Sequence, residues 1–149
     1  MKKISINKFL YYLIPIMISS TIISIGYFFM NGIPLLGVPK LEDIAYVEIS
    51  DNRLDINARK FTEKEEIEKA INMINLLTYK LGTPEEKEPL IELVFYLKDG
   101  DTFVISSNEK TAYSNGKAYS IKGDNGITFI NVIEGIFFFK DLVEEELSI

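Results

Sequence analysis

Ser107-Asn-Glu-Lys110 has residue types and a spacing that suggest covalent chemistry. A Ser-x-x-Lys pair is the nucleophile motif of serine acyl-enzymes, in which the hydroxyl attacks an acyl carbon and a nearby base takes its proton. The motif belongs at a helix start, with Ser-Asp-Asn and Lys-Thr-Gly elements elsewhere. Here it is expected in a solvent-exposed hairpin turn, and Lys110-Thr111-Ala112 is a poor third element. The same spacing recurs at Ser5-Ile-Asn-Lys8. No catalytic residue is assigned on this basis.

Other chemistries are limited by what the chain lacks. It contains no Cys, His or Trp, so thiolate catalysis, disulfides and the usual general base and transition-metal ligand are absent. Asp99-Gly-Asp101 and Asp124-Asn-Gly126 place carboxylates at turns. Phe103 and Thr128 stand where a calcium loop needs further oxygen ligands, and no Glu closes either loop. Both read as turns, and no metal or cofactor is expected. Glu92 and Glu134 are candidate acid–base groups, but lone carboxylates of this kind are expected to be solvated.

The net charge of −6 is unevenly spread. Lys2, Lys3 and Lys8 precede an uncharged run from Phe9 to Pro39. The other 13 of the 16 Lys and Arg face all 22 Asp and Glu, so the chain from Lys40 onward carries −9. Phosphates repel such a domain, and no nucleic-acid partner is expected.

The chain therefore divides into a basic flank (1–8), an apolar span (9–30), a Pro/Gly linker (31–40) and an acidic domain (41–149). Phe9 to Met30, as a helix, is roughly 33 Å long, enough to cross a bilayer. A cleaved signal is the competing reading. Signal-peptide apolar regions are shorter, and no Ala precedes Ala45 to supply the usual cleavage site. An uncleaved anchor is expected. With lysines before the span and Glu42 and Asp43 after it, the N-terminus is expected in the cytoplasm and the domain outside.

Within the domain the patterning predicts an α+β fold. Ile44 to Ile49 reads as a strand, and Leu54 to Ile56 as a short second one. Thr62-Glu-Lys-Glu65 has capping-box spacing and opens a helix whose apolar face carries Ile67, Ala70, Ile71, Ile74 and Leu77. Gly82 and Pro84 end it. Leu76 falls on the polar side. Ile91 to Leu97 alternates as a strand. A three-residue Lys98-Asp-Gly100 turn with Gly100 left-handed pairs Phe95 with Phe103 and Leu93 with Ile105. Asn115-Gly116 makes a second, two-residue turn that pairs Ala112 with Tyr119 and Tyr113 with Ala118. Between the hairpins Ser107 is set opposite Lys110 and Ile105 opposite Ala112. The result is a four-stranded antiparallel meander with the amphipathic helix on its inner face. Ile127 to Leu147 reads two ways, since Ile127 to Val132 fits a strand equally well; the helix, from about Thr128 to Glu144 on the reverse face, is the favoured expectation. Glu144-Glu-Glu146 reads as a solvated tail.

This register gathers Val94, Tyr96, Val104 and Tyr113 on the reverse face, as a candidate partner surface. If the C-terminal helix does not cover them, such aromatics suit a peptide or glycan.

The segments GIPLLGVPK, FTEKEEIEKAINMINLL, PLIELVFYLKDG, GKAYSIK and INVIEGIFFF occur in that order after an N-terminal span. Over Gly32 to Phe139 the chain resembles a family of uncharacterised, single-span membrane-anchored bacterial domains. The resemblance implies a bacterial surface protein and carries over no functional residues.

The expected function is a membrane-anchored, extracytoplasmic accessory, sensory or regulatory binding module. The alternatives are an envelope hydrolase or transferase using Ser and Lys or carboxylates, and a small subunit of a membrane complex held through its span.

Overall fold

The computed structural model describes residues 6–54 and 57–139. The chain forms two units, one ending at Ile33 and the other beginning at Pro34. Ser5 and the Glu144–Glu146 stretch lie outside the described residues.

The first unit is α1 (Ile6–Asn31), a 26-residue helix. Its stretch Phe9–Asn31, 23 residues, has a mean hydropathy of 1.9 over its most apolar 18 residues and is long and apolar enough to cross a membrane. Such a helix exposes little free backbone, because most N–H groups find a carbonyl one turn back; Pro15, inside the helix, has no N–H to give. Polar side chains follow the same economy. The Thr21 hydroxyl donates to the Met17 carbonyl at 2.9 Å, and the Asn31 amide donates to the Tyr27 carbonyl at 3.0 Å. The helix ends at Gly32, whose N–H donates to the Phe28 carbonyl at 2.8 Å.

β1 (Ile33–Pro34) falls at the boundary between the units. The second unit is mixed α+β. Its strands are β2 (Ile44–Asp51), β3 (Arg59–Phe61), β4 (Thr78–Tyr79), β5 (Ile91–Leu97), β6 (Thr102–Ser107), β7 (Thr111–Ser114) and β8 (Lys117–Ser120). Six of them form one antiparallel sheet in the order β3-β2-β5-β6-β7-β8. Alternation puts Val47, Ile49, Leu93, Phe95, Phe103 and Ile105 on one face, and all are buried. Each such side chain contributes roughly 1.5–3 kcal/mol relative to exposure. Leu35, within the stretch read as a linker, is also buried in this core.

The expected turns form. Phe95 pairs with Phe103 and Leu93 with Ile105, and Gly100 has φ +96°. Asn115 and Gly116 are both at positive φ, as a tight two-residue hairpin turn requires. Ala112 pairs with Tyr119 and Tyr113 with Ala118.

Several expectations are corrected. The second strand is Arg59–Phe61, and Leu54 lies in a bend; residues 55–56 lie outside the described residues. The capping box does not form. Helix α2 (Lys64–Ile74) is preceded by Glu63, which makes no side-chain cap bond. α2 stops at Ile74 instead of running toward Gly82. Tyr79 bridges to Ile121 beside β8, and the backbone bonds won at that sheet edge outweigh further helix turns. Leu76, assigned to the polar side, packs partly buried against the core.

Ile105 pairs with Ser114, not Ala112, and Ser107 pairs with Ala112. The cause is a wider loop built on Asn108, whose Oδ1 accepts the Lys110 N–H at 2.9 Å and the Thr111 N–H at 2.8 Å. The shift is two residues, so every side chain keeps its face.

The C-terminal segment is helical, but on the other side from that expected. α3 (Asn125–Ile133) continues through a π turn at Glu134–Phe138. Phe129, Ile130, Ile133, Phe137 and Phe138 join α2 and the sheet in one buried cluster. The 11-residue α2 is too short to cover the apolar face alone. The reverse face offers Glu48, Ser50, Glu92 and Thr102, a poor match for phenylalanines. Asn125 and Gly126 open this helix instead of completing a turn. A Cβ on Gly126 would stand 2.1 Å from the Glu109 carbonyl oxygen, so α3 can meet the Asn108 loop only through a glycine.

Candidate interaction face

Strand alternation brings Val94, Tyr96, Val104 and Tyr113 to one face, as expected from sequence. Val94 is paired with Val104, and Val104 is 38% exposed. Both α2 and α3 lie on the opposite side. Among the described residues of the second unit no helix covers this face.

Its two ends are built differently. At one end Tyr46 is the β2 partner of Tyr96, and their rings stack with centroids 4.3 Å apart and planes 16° from parallel. Lys60 Nζ sits 3.6 Å from the Tyr46 ring centroid, on β3. The ammonium is drawn to the negative face of the ring. The Tyr96 hydroxyl donates to Glu48 Oε2 at 3.1 Å. That carboxylate holds the Tyr96 phenol above its ordinary range. Lys60, Tyr46, Tyr96 and Glu48 thus form an ordered row of cation, aromatic rings and anion.

At the other end the segment before β5 is strapped to the sheet. The Tyr113 hydroxyl donates to the Lys87 carbonyl at 2.6 Å and accepts the Lys87 N–H at 3.2 Å. Thr111 Oγ1 donates to the Glu85 carbonyl at 2.7 Å. Beside Tyr113 is an open depression of about 280 Å³, lined also by Thr102, Val104 and Ser106. Sequence reasoning found the four side chains but missed Tyr46, Lys60 and Glu48. Alternation along Ile44–Ile49 already placed Tyr46 and Glu48 on one face, and only the cross-strand register was lacking.

The catalytic candidates come apart. Ser107 is fully buried, not in an exposed turn, and its Oγ donates to the Asn108 carbonyl at 2.7 Å. Lys110 Nζ points instead to Glu85, 3.3 Å from its Oε1. Lys87 first and Lys110 with it hold the Glu85 carboxyl below its usual range. Asp99 Oδ1 accepts the Asp101 N–H at 3.0 Å, a turn contact. No group of three or more acidic residues is placed to hold a metal among the described residues.

Glu134 is not a solvated lone carboxylate. It bonds Arg53 Nη2, and that same guanidinium grips the buried Asp51, with Nε–Oδ1 at 2.9 Å and Nη2–Oδ2 at 2.6 Å. The Asp51 bond is the main cause that raises the Arg53 pKa further above its ordinary value. Arg59 Nη1 donates to the Phe137 carbonyl at 2.8 Å. The chain's two arginines, among 14 lysines, therefore both hold the π turn. A planar fork of donors suits that work better than an ammonium. The cluster locks α3 to the sheet and leaves no free acid–base pair there.

No protein family, curated protein or solved structure matches the chain, so roles here rest on geometry alone.

Proposed function

We propose that the protein is a single-span membrane protein whose α+β domain stands outside the cytoplasm and works as a non-enzymatic binding module. One observation carries this reading: α2 and α3 cover the same face of the sheet, and among the described residues of the second unit no helix covers the reverse face, where Tyr46 and Tyr96 stack. Isolated exposed apolar residues are ordinary, whereas an ordered row beside paired valines on a face without a helix suits a partner. The enzymatic alternative finds less support, since Ser107 is buried and Lys110 is engaged with Glu85. Anchoring is supported by the length and apolarity of α1. Lysines on its N-terminal side favour an outward domain.

A photo-reactive phenylalanine analogue at Val94 should crosslink to a discrete partner in intact cells. The same analogue at Glu68, on the exposed side of α2, should not. Adducts from Glu68 alone would sink the reading. Orientation is checked separately, because a Cys at Asn115 is the chain's sole thiol. An impermeant thiol reagent should label it in intact cells, and protection there would reverse the topology.

A further inference from the structure

We propose that the outer edge of β6 at Thr102–Val104 takes up an extended peptide as an added strand. This rests on the binding-module reading and names the class of partner. β6 pairs with β5 from Thr102 to Ser107, but with β7 only from Ile105 to Ser107. The Asn115-Gly116 turn carries β7 away before it reaches Val104.

Hydrogen bonds define which backbone groups are left over. The Leu97 N–H donates to the Asp101 carbonyl at 2.8 Å, so Asp101, Phe103 and Ile105 direct their backbone toward β5. The Asn108 N–H donates to the Thr111 carbonyl at 3.0 Å, so the residues between them in register face β7. Ser106 finds Tyr113 there. Thr102 and Val104 meet no strand among the described residues. Each presents an N–H and a C=O outward, the two residues about 6.8 Å apart.

Another extended backbone is the chemistry that satisfies such a row. The adjoining depression of about 280 Å³, lined by Val104, Ser106 and Tyr113, gives room for a side chain of the added strand. A second copy fits less well. Three edge residues span only about 10 Å, too short an edge to carry by itself the roughly 1,200 Å² that a stable protein interface buries. The acidic domain favours a peptide carrying lysines.

The experiment uses the full chain, ¹⁵N-labelled in detergent micelles. The probe is acetyl-Lys-Thr-Val-Thr-Val-Lys-amide at millimolar concentration. Hydrogen exchange at the Thr102 and Val104 amides should slow several-fold, with no change along Arg59–Phe61. An N-methylated version of the probe should have no effect. Val104→Pro removes one outward donor while sparing the bonds to β5, and should abolish the slowing. Val104→Thr should keep it. If Val104→Pro does not fold, the N-methylated probe decides. Unchanged exchange, or equal slowing by both probes, overturns the proposal. Slowing without probe that grows with protein concentration assigns the edge to a second copy, and also overturns it. Crosslinking from Val94 without protection at this edge would remove the peptide and spare the binding face.

Discussion

On one face of the sheet Val47, Ile49, Leu93 and Phe95 are fully buried beneath α2 and α3. On the other, their sequence neighbours Tyr46, Glu48, Val94 and Tyr96 remain half-buried and hold one another by stacking and a hydrogen bond. The same strands supply both faces, so backbone pairing cannot account for the contrast. Helix coverage does. Stability is concentrated where two helices close over aliphatic rows, and the bare face is left to side chains that tolerate water on one side.

The sharpest way to test this division is to truncate neighbours on opposite faces. Phe95→Ala should cost about 3–5 kcal/mol in urea unfolding, because the cavity opens beneath both helices. A loss below about 1 kcal/mol would mean that the core is not where the burial pattern puts it.

Gly126→Ala tests the seating of α3 on the buried side. The new Cβ meets backbone, not a movable side chain, so overpacking should cost about 1–3 kcal/mol. Stability equal to that of the parent chain in a thermal melt would show that α3 does not meet the Asn108 loop at that distance.

On the bare face, Tyr46→Ala removes the stacked ring and the seat for Lys60. The expected loss is only about 0.5–1.5 kcal/mol, since the site is partly solvated. A cost as large as that of Phe95→Ala in the same unfolding series would erase the distinction between the faces.

Much of this was legible beforehand because it depends on local rules. Period-two alternation along Ile91–Leu97 and the glycine at position 100 settled the first hairpin, since one register buries Phe95 with Phe103. Asn115-Gly116 did the same for the second. What misled was the loop between them. Asn108 bonds two backbone N–H groups at once, and side-chain bonds of that kind leave little trace in hydropathy. The partner face was half legible. Alternation supplied its four expected residues, while the Lys60–Tyr46–Tyr96 row needed the pairing of β3 with β2 and β2 with β5.

The sequence by itself determined the apolar span, the hairpin turns, the amphipathic α2 and the division of each strand into two faces. These follow from spacing within a few residues, where chain geometry leaves few choices. Only the tertiary structure decided which face α3 would cover, where α2 would stop, and that Ser107 would be buried away from Lys110. Each depends on competition between surfaces distant in sequence. Phe129 and Phe138 match the aliphatic face better than the polar one, and Tyr79 gains a sheet partner in Ile121. No local pattern encodes that comparison, because the competing surfaces exist only once the chain has folded.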